Sequence, residues 1–179
     1  MSLLPNDDDW GCLMDLDTMF LTSNVGHQLE EIVKKYPNTG LFTAITNRVG
    51  LKEQCYRGNI DNDPNILNWK RVAKQLQENK WMEMRELKHP ISGHLMMVKK
   101  SVWKAVGGFP EVGKILAIDN SFSKRVLDHN LEIQLMEGVF VFHFYRMDKN
   151  ITDKTHLRPS AEQGNIYSHN KRVRYLEGT

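Results

Sequence analysis

Trp10-Gly11-Cys12-Leu13-Met14-Asp15-Leu16-Asp17 is the stretch on which the reading of the fold turns. A short apolar run stops abruptly at two carboxylates, the pattern of a buried strand ending where the chain re-enters water. Two aspartates one residue apart at a strand terminus can face the same way and share a divalent cation. Their hard oxygens suit Mg²⁺ or Mn²⁺, ions that keep water and take substrate phosphate at open positions. The same pair can equally form a turn or cap a helix, since a short acceptor side chain bonds nearby backbone N–H groups. The earlier run Asp7-Asp8-Asp9 reads as solvated loop.

Downstream, helical and extended patterns alternate. Val25, Leu29, Ile32, Val33 and Tyr36 share one face of a helix over 24–36, with Ser23 or Asn24 as cap and Pro37 and Gly40 as its end. Leu41-Phe42-Thr43-Ala44-Ile45-Thr46 reads as a buried strand, followed by a polar, turn-rich stretch over 48–64. A second amphipathic helix runs from about Asn65 to Gln77 with Ile66, Trp69, Val72, Ala73 and Leu76 inward. A strand is expected over 94–98, then a short helix capped by Ser101 and stopped by Gly107-Gly108. Another helix spans 119–129, and strands at 131–135 and 139–144 precede a polar tail. Such alternation predicts an α/β domain with a mainly parallel sheet, over residues 1–150, with the ligand at the carboxyl ends of the strands. Residues 151–179 form a separate polar and basic tail.

Composition fits one soluble domain: 179 residues, 40% hydrophobic and 26% charged, with a net charge of +2. That balance argues against a dedicated nucleic-acid binder, which carries a clearly basic face. Lys171, Arg172 and Arg174 cluster in the tail, as a solvated end or as a contact for an anionic membrane surface or a phosphate-bearing acceptor. Cys12 and Cys55 have neither metal-ligand spacing nor the density of a disulfide framework, which points to a reducing compartment. With no signal-peptide pattern and no membrane-length apolar run, the expected location is cytoplasmic. The oligomeric state leaves no mark on the sequence.

Three further positions carry chemistry. Gly93, in Ile91-Ser92-Gly93-His94, and Gly107-Gly108 permit close backbone approach, as a turn, a helix end or a bound sugar would require. Asp119 opens a helix after an apolar stretch and is either its cap or a general base able to take a hydroxyl proton. His143 interrupts the apolar strand Val139–Phe144. It is either a satisfied core residue or an imidazole ligand completing a metal site with Asp17. Arg125 reads as a partner in a surface ion pair.

The order of these elements, D-x-D at 15–17, a glycine segment ending in V-G-G-F-P-E, then I-D-N-S-F-S-K-R and a strand carrying H-F-Y-R, resembles family 2 glycosyltransferases over residues 8–146. That resemblance implies a GT-A-like layered αβα domain and an inverting, metal-dependent transfer from a nucleotide-diphospho-sugar donor to a saccharide or lipid-linked acceptor. It assigns Asp15 and Asp17 to metal and donor phosphate, Asp119 to the base, and His143 to metal or diphosphate. Gly93 would lie against the donor, and the cofactor would be Mn²⁺ or Mg²⁺. Ile118 and Ser121 depart from the acidic residues the family carries in the base segment. Only about a dozen residues precede the D-x-D, too few for the family's nucleotide-binding βαβ unit of about 30 residues, so an N-terminally truncated form is expected. The alternative is a non-catalytic fragment or binding module unable to hold the nucleotide.

Overall fold

The computed structural model describes residues 1–58, 63, 65–110 and 118–144. The elements run β1 (Trp10–Met14), β2 (Thr18–Phe20), α1 (Val25–Lys35), β3 (Leu41–Thr46), a 3₁₀ turn at Lys52–Gln54, α2 (Ile66–Asn79), β4 (Met84–Leu87), β5 (Leu95–Lys99), α3 (Lys100–Ala105), α4 (Ile118–Asp128) and β6 (Ile133–His143). The strands form one six-stranded sheet in the order β1-β5-β3-β6-β2, with β4 also on β6. Of its ladders only β3 with β6 is parallel. Those joining β1 to β5, β3 to β5, β2 to β6 and β4 to β6 are antiparallel.

The expected GT-A-like αβα domain with a mainly parallel sheet is therefore overturned. What forms is a mixed sheet in which most neighbours run in opposite directions. A parallel sheet requires each connection to carry the chain back to the end where the previous strand began. Here β4 and β5 follow one another with no helix between them. Strand β5 then runs against both β1 and β3.

Strand β3 is buried at every position because its alternating side chains enter two apolar clusters. Leu41 and Ile45 pack with Trp69, Val72 and Ala73 of α2, Phe122 and Val126 of α4, and Phe140 and Phe142 of β6. Phe42 and Ala44 join Ile32 of α1, Met97, Met136 and Val141. Trp69 lies nearly parallel to Phe140, with ring centroids 5.5 Å apart. Thr43, the polar member of the run, is satisfied: its hydroxyl donates to the Leu95 carbonyl (2.9 Å) and accepts from Gln54 Nε2 (2.8 Å).

The two strands expected over 131–144 are one. Strand β6 stays in register with β3 from Leu41↔Ile133 to Ala44↔Met136, then jumps to Ile45↔Phe140. The bulge holds Glu137, bound by Lys80 and by Arg85 Nε (2.6 Å). It also holds Gly138, where a Cβ would come within 2.2 Å of the Lys80 carbonyl oxygen. Helix α3 ends as expected, with Gly107 and Gly108 at φ 77° and 62°. Ser101 does not cap it, since α3 begins one residue earlier. Among the described residues Arg125 makes no ion pair, and it donates from Nη2 to the Gly108 carbonyl. The tail expected at 151–179 lies outside the described residues.

Candidate metal centre

The directions of the strands bring the site together. Strands β1, β3 and β6 run the same way, so Asp15, Asn47 and His143 emerge at one margin of the sheet. Strand β5 runs the opposite way, so its approach, Gly93 and His94, starts at that same margin. The β1–β5 ladder ends at Met14↔Leu95 and continues through the Asp15 N–H, which donates to the His94 carbonyl at 3.2 Å.

Asp15-Leu16-Asp17-Thr18 then makes a tight turn. The Thr18 N–H and hydroxyl both donate to the Asp15 carbonyl, at 3.2 and 2.6 Å. Leu16 projects fully into solvent. Thr18 starts β2 directly opposite His143, and the Phe144 N–H donates to the Asp17 carbonyl at 2.8 Å. The aspartates therefore do form a turn, and that turn is what aims them at the imidazole.

Ligand atoms of Asp15, Asp17 and His143 all lie within 4.8 Å of one another. His143 Nε2 stands 3.2 Å from Asp17 Oδ1 and 3.7 Å from Asp15 Oδ2. His143 is buried, whereas both aspartate side chains are about half exposed, so the cluster opens to solvent on its acidic side. The other ring nitrogen, Nδ1, is 2.9 Å from the Arg48 carbonyl, which can only accept. Nδ1 is thereby the donor to that carbonyl, and Nε2 faces the carboxylates. Three lone-pair donors aimed at one point repel unless a positive centre, a second ring proton or a metal cation, sits among them. An imidazole oriented through its far nitrogen is also the usual arrangement of a metal-ligating histidine. The donor set fits a divalent cation: two carboxylates and one imidazole suit Mn²⁺ well and Mg²⁺ less well, leaving room for phosphate or water.

Asp119 lies in the first turn of α4 and is joined to the same margin through Gly93. The Gly93 N–H donates to Asp119 Oδ2 at 2.8 Å, and the Asn120 N–H donates to Oδ1 at 2.8 Å. Burial pushes the Asp119 carboxyl above the usual aspartate range, against the pull of those N–H groups. Asp15 is raised too: burial is the main cause and prevails over the lowering by His143, with smaller upward contributions from Asp17 and Asp119. The effect of Asp119 on Asp15 places the two in one electrostatic environment. Gly93 is needed for packing: a Cβ there would lie 2.7 Å from Asp119 Cβ.

The five site residues expected from sequence thus meet at one margin, with Asp15, Asp17 and His143 in direct proximity and Gly93 and Asp119 forming the adjoining wall. Sequence reasoning gave no role to Asn47, Arg48 or His94. Asn47 and Arg48 directly follow the apolar run of β3, a position at the carboxyl end of a strand that could have marked them. His94 is fully buried, its Nε2 3.1 Å from the Ala44 carbonyl and its ring stacked on His143 at 6.0 Å between centroids. Burial, with the neighbouring His143, drives its pKa down to about 3, so His94 is a neutral ring at the floor of the site.

No family model matches the chain, and neither a curated protein nor a solved structure matches it. Among the described residues, no helix is long and apolar enough to cross a membrane.

Proposed function

We propose that the chain is a metal-dependent glycosyltransferase that moves a sugar from a nucleotide-diphospho-sugar donor to an acceptor hydroxyl with inversion. The observation that carries the reading is the convergence of Asp15, Asp17 and His143 within 4.8 Å, with Asp119 on the adjoining wall. Asp15, Asp17 and His143 would hold Mn²⁺ or Mg²⁺, which in such a site neutralises the diphosphate leaving group. Asp119 acts as general base. Its raised pKa makes it a stronger proton acceptor than an exposed aspartate, and the Gly93 and Asn120 N–H groups orient its oxygens. As the acceptor oxygen attacks the anomeric carbon from the face opposite the leaving group, its proton passes to Asp119 and the nucleoside diphosphate departs. The order of motifs along the chain supports this reading. It does not depend on the layered architecture that the mixed sheet replaces. Saccharide or lipid-linked acceptors fit it, and a chain with two cysteines, Cys12 and Cys55, suits a cytoplasmic setting.

Calorimetry and nucleoside diphosphate release with UDP-, GDP- and CDP-sugars in the presence of Mn²⁺ test the proposal. Metal-dependent binding and release are expected, and Asp17→Ala should abolish both. Mn²⁺ binding without any sugar-nucleotide binding would instead favour a non-catalytic module. Absence of both would overturn the metal reading as well.

A further inference from the structure

We propose that Asn47 is the positioning residue of this centre: its carboxamide sets the orientation and the tautomer of His143. The proposal rests on the metal reading above and extends it to a residue that touches neither cation nor substrate.

The parallel ladder between β3 and β6 ends at Thr46↔Val141. The next position on that side of β6 is its last residue, His143. The Asn47 side chain takes over. Its Oδ1 accepts from the His143 N–H at 2.7 Å, and its Nδ2 donates to the His143 carbonyl at 3.1 Å. A primary carboxamide carries an acceptor and a donor in one plane, as a peptide group does, so it can replace one missing rung of the ladder. The Thr46 hydroxyl donates to the same Oδ1 at 3.2 Å, which fixes the plane of the amide. On the other side of β6, β2 pairs with the strand at Thr18↔His143.

The consequence reaches the ring. With the main chain of His143 fastened to Asn47, the next carbonyl along, that of Arg48, falls 2.9 Å from Nδ1. Two consecutive residues thus engage the N–H, the C=O and the ring of one histidine. The main-chain pair fixes where the side chain starts, and the Arg48 carbonyl fixes which nitrogen carries the proton. Nε2 is left as the ligand atom, 3.2 Å from Asp17 Oδ1. Loosening the first grip loosens the second, because the Arg48 carbonyl is held in place only one residue from the clamp.

The test uses the whole chain labelled with ¹⁵N-histidine, comparing wild type, Asn47→Ala and Asn47→Ser. Nitrogen shifts report the tautomer of His143, assigned by its loss in His143→Gln, and calorimetry reports Mn²⁺ affinity. Wild type should show a single ring environment for His143 with Nδ1 protonated. Asn47→Ala should show a mixture of tautomers and bind Mn²⁺ about 10–100-fold more weakly, the usual loss when the support of a metal ligand is removed. Asn47→Ser keeps a donor and an acceptor on a shorter arm, should fall between the two, and serves alone if the alanine chain does not fold. A lowered Tm with unchanged tautomer and unchanged Mn²⁺ affinity would show Asn47 to be merely structural and overturn the proposal. The tautomer is read without metal. A wild type that binds no Mn²⁺ but shows a tautomer sensitive to Asn47 would therefore overturn the functional reading while leaving the clamp intact.

Discussion

Replacing Gly93 by alanine adds one methyl group, and the structure says where it must go. The new Cβ would lie 2.7 Å from Asp119 Cβ and 3.3 Å from Met96 Cε. The methionine terminus is flexible and can swing aside. The aspartate Cβ is bonded directly to the backbone of α4 and cannot move unless the helix does. Ordinary carbon–carbon contact begins at ~3.5 Å, so the two segments must part by roughly 0.8 Å. Forced expansion of a packed contact costs about 1–3 kcal/mol of stability. The same displacement stretches the Gly93 N–H bond to Asp119 Oδ2, now 2.8 Å, and moves the proposed base relative to the cation ligands. A misplacement of ~1 Å at a reacting group is worth about 10² in rate. We therefore expect Gly93→Ala to lower Mn²⁺-dependent nucleoside diphosphate release about 100-fold. Mn²⁺ affinity should stay within a few-fold, since no ligand atom touches Gly93. Steady-state release assays, calorimetry and a thermal melt measure the three quantities. A Gly93→Ala chain that melts and turns over like wild type would refute the claim that this glycine sets the position of Asp119.

Four other outcomes are expected. Asp119 has a folded-state pKa above its unfolded value, so its contribution to stability is present at low pH and lost as pH rises through the folded pKa. Asp119→Asn should thus abolish release yet melt no lower than wild type at pH 8, and a thermal melt series against pH should show this advantage shrinking on acidification. Mn²⁺ at 100 times its Kd should stabilise the chain by about 2.7 kcal/mol, an effect lost in Asp17→Ala. Because the Asp15 carboxyl is also raised, chiefly by burial, calorimetry should show affinity falling on acidification earlier than an ordinary aspartate would require. For Glu137, burial would raise the carboxyl, but Arg85 and Lys80 outweigh it and hold the group below the usual range. Its contribution is therefore present at neutral pH and lost as pH falls through the folded pKa. Urea denaturation should show Glu137→Gln weaker by about 1–3 kcal/mol at pH 7, with the gap closing in acid.

Much of the local structure was legible because periodicity is a local property. Strand β1 and strand β3 form where the apolar runs predicted them, and α1, α2 and α4 start and stop within a residue or two of their expected ends. Two strands left no signal. β2 has three residues, and β4, Met84-Arg85-Glu86-Leu87, is half polar with no alternation, its apolar Met84 and Leu87 falling on opposite faces. The direction of β5 was hidden for a different reason. It is set by the irregular segments before β4 and β5, whose paths carry no repeating pattern. The candidate ligands were readable from their chemistry at strand ends, whereas their supports were not. Asn47 and Arg48 act partly through backbone groups, and a backbone carbonyl is the same in every sequence. His94 looked like part of a glycine segment, and only its burial against His143 gives it a place in the site.

The acidic run at the start of the chain also changes meaning. Lys99 Nζ meets Asp8 Oδ1 at 2.9 Å, the Lys100 N–H donates to the Asp9 carbonyl at 2.9 Å, and the Ser101 N–H donates to the Asp7 carbonyl at 2.9 Å. These contacts fasten β5 to the residues just before β1, at the end of the ladder farthest from the metal ligands. Slippage of one strand past the other by a single step would turn every side chain to the wrong side and pull the His94 carbonyl away from the Asp15 N–H. Asp7, Asp8 and Asp9 therefore act as an alignment pin: they keep two strands in phase, so that the cluster of Asp15, Asp17 and His143 at the opposite end arrives in focus.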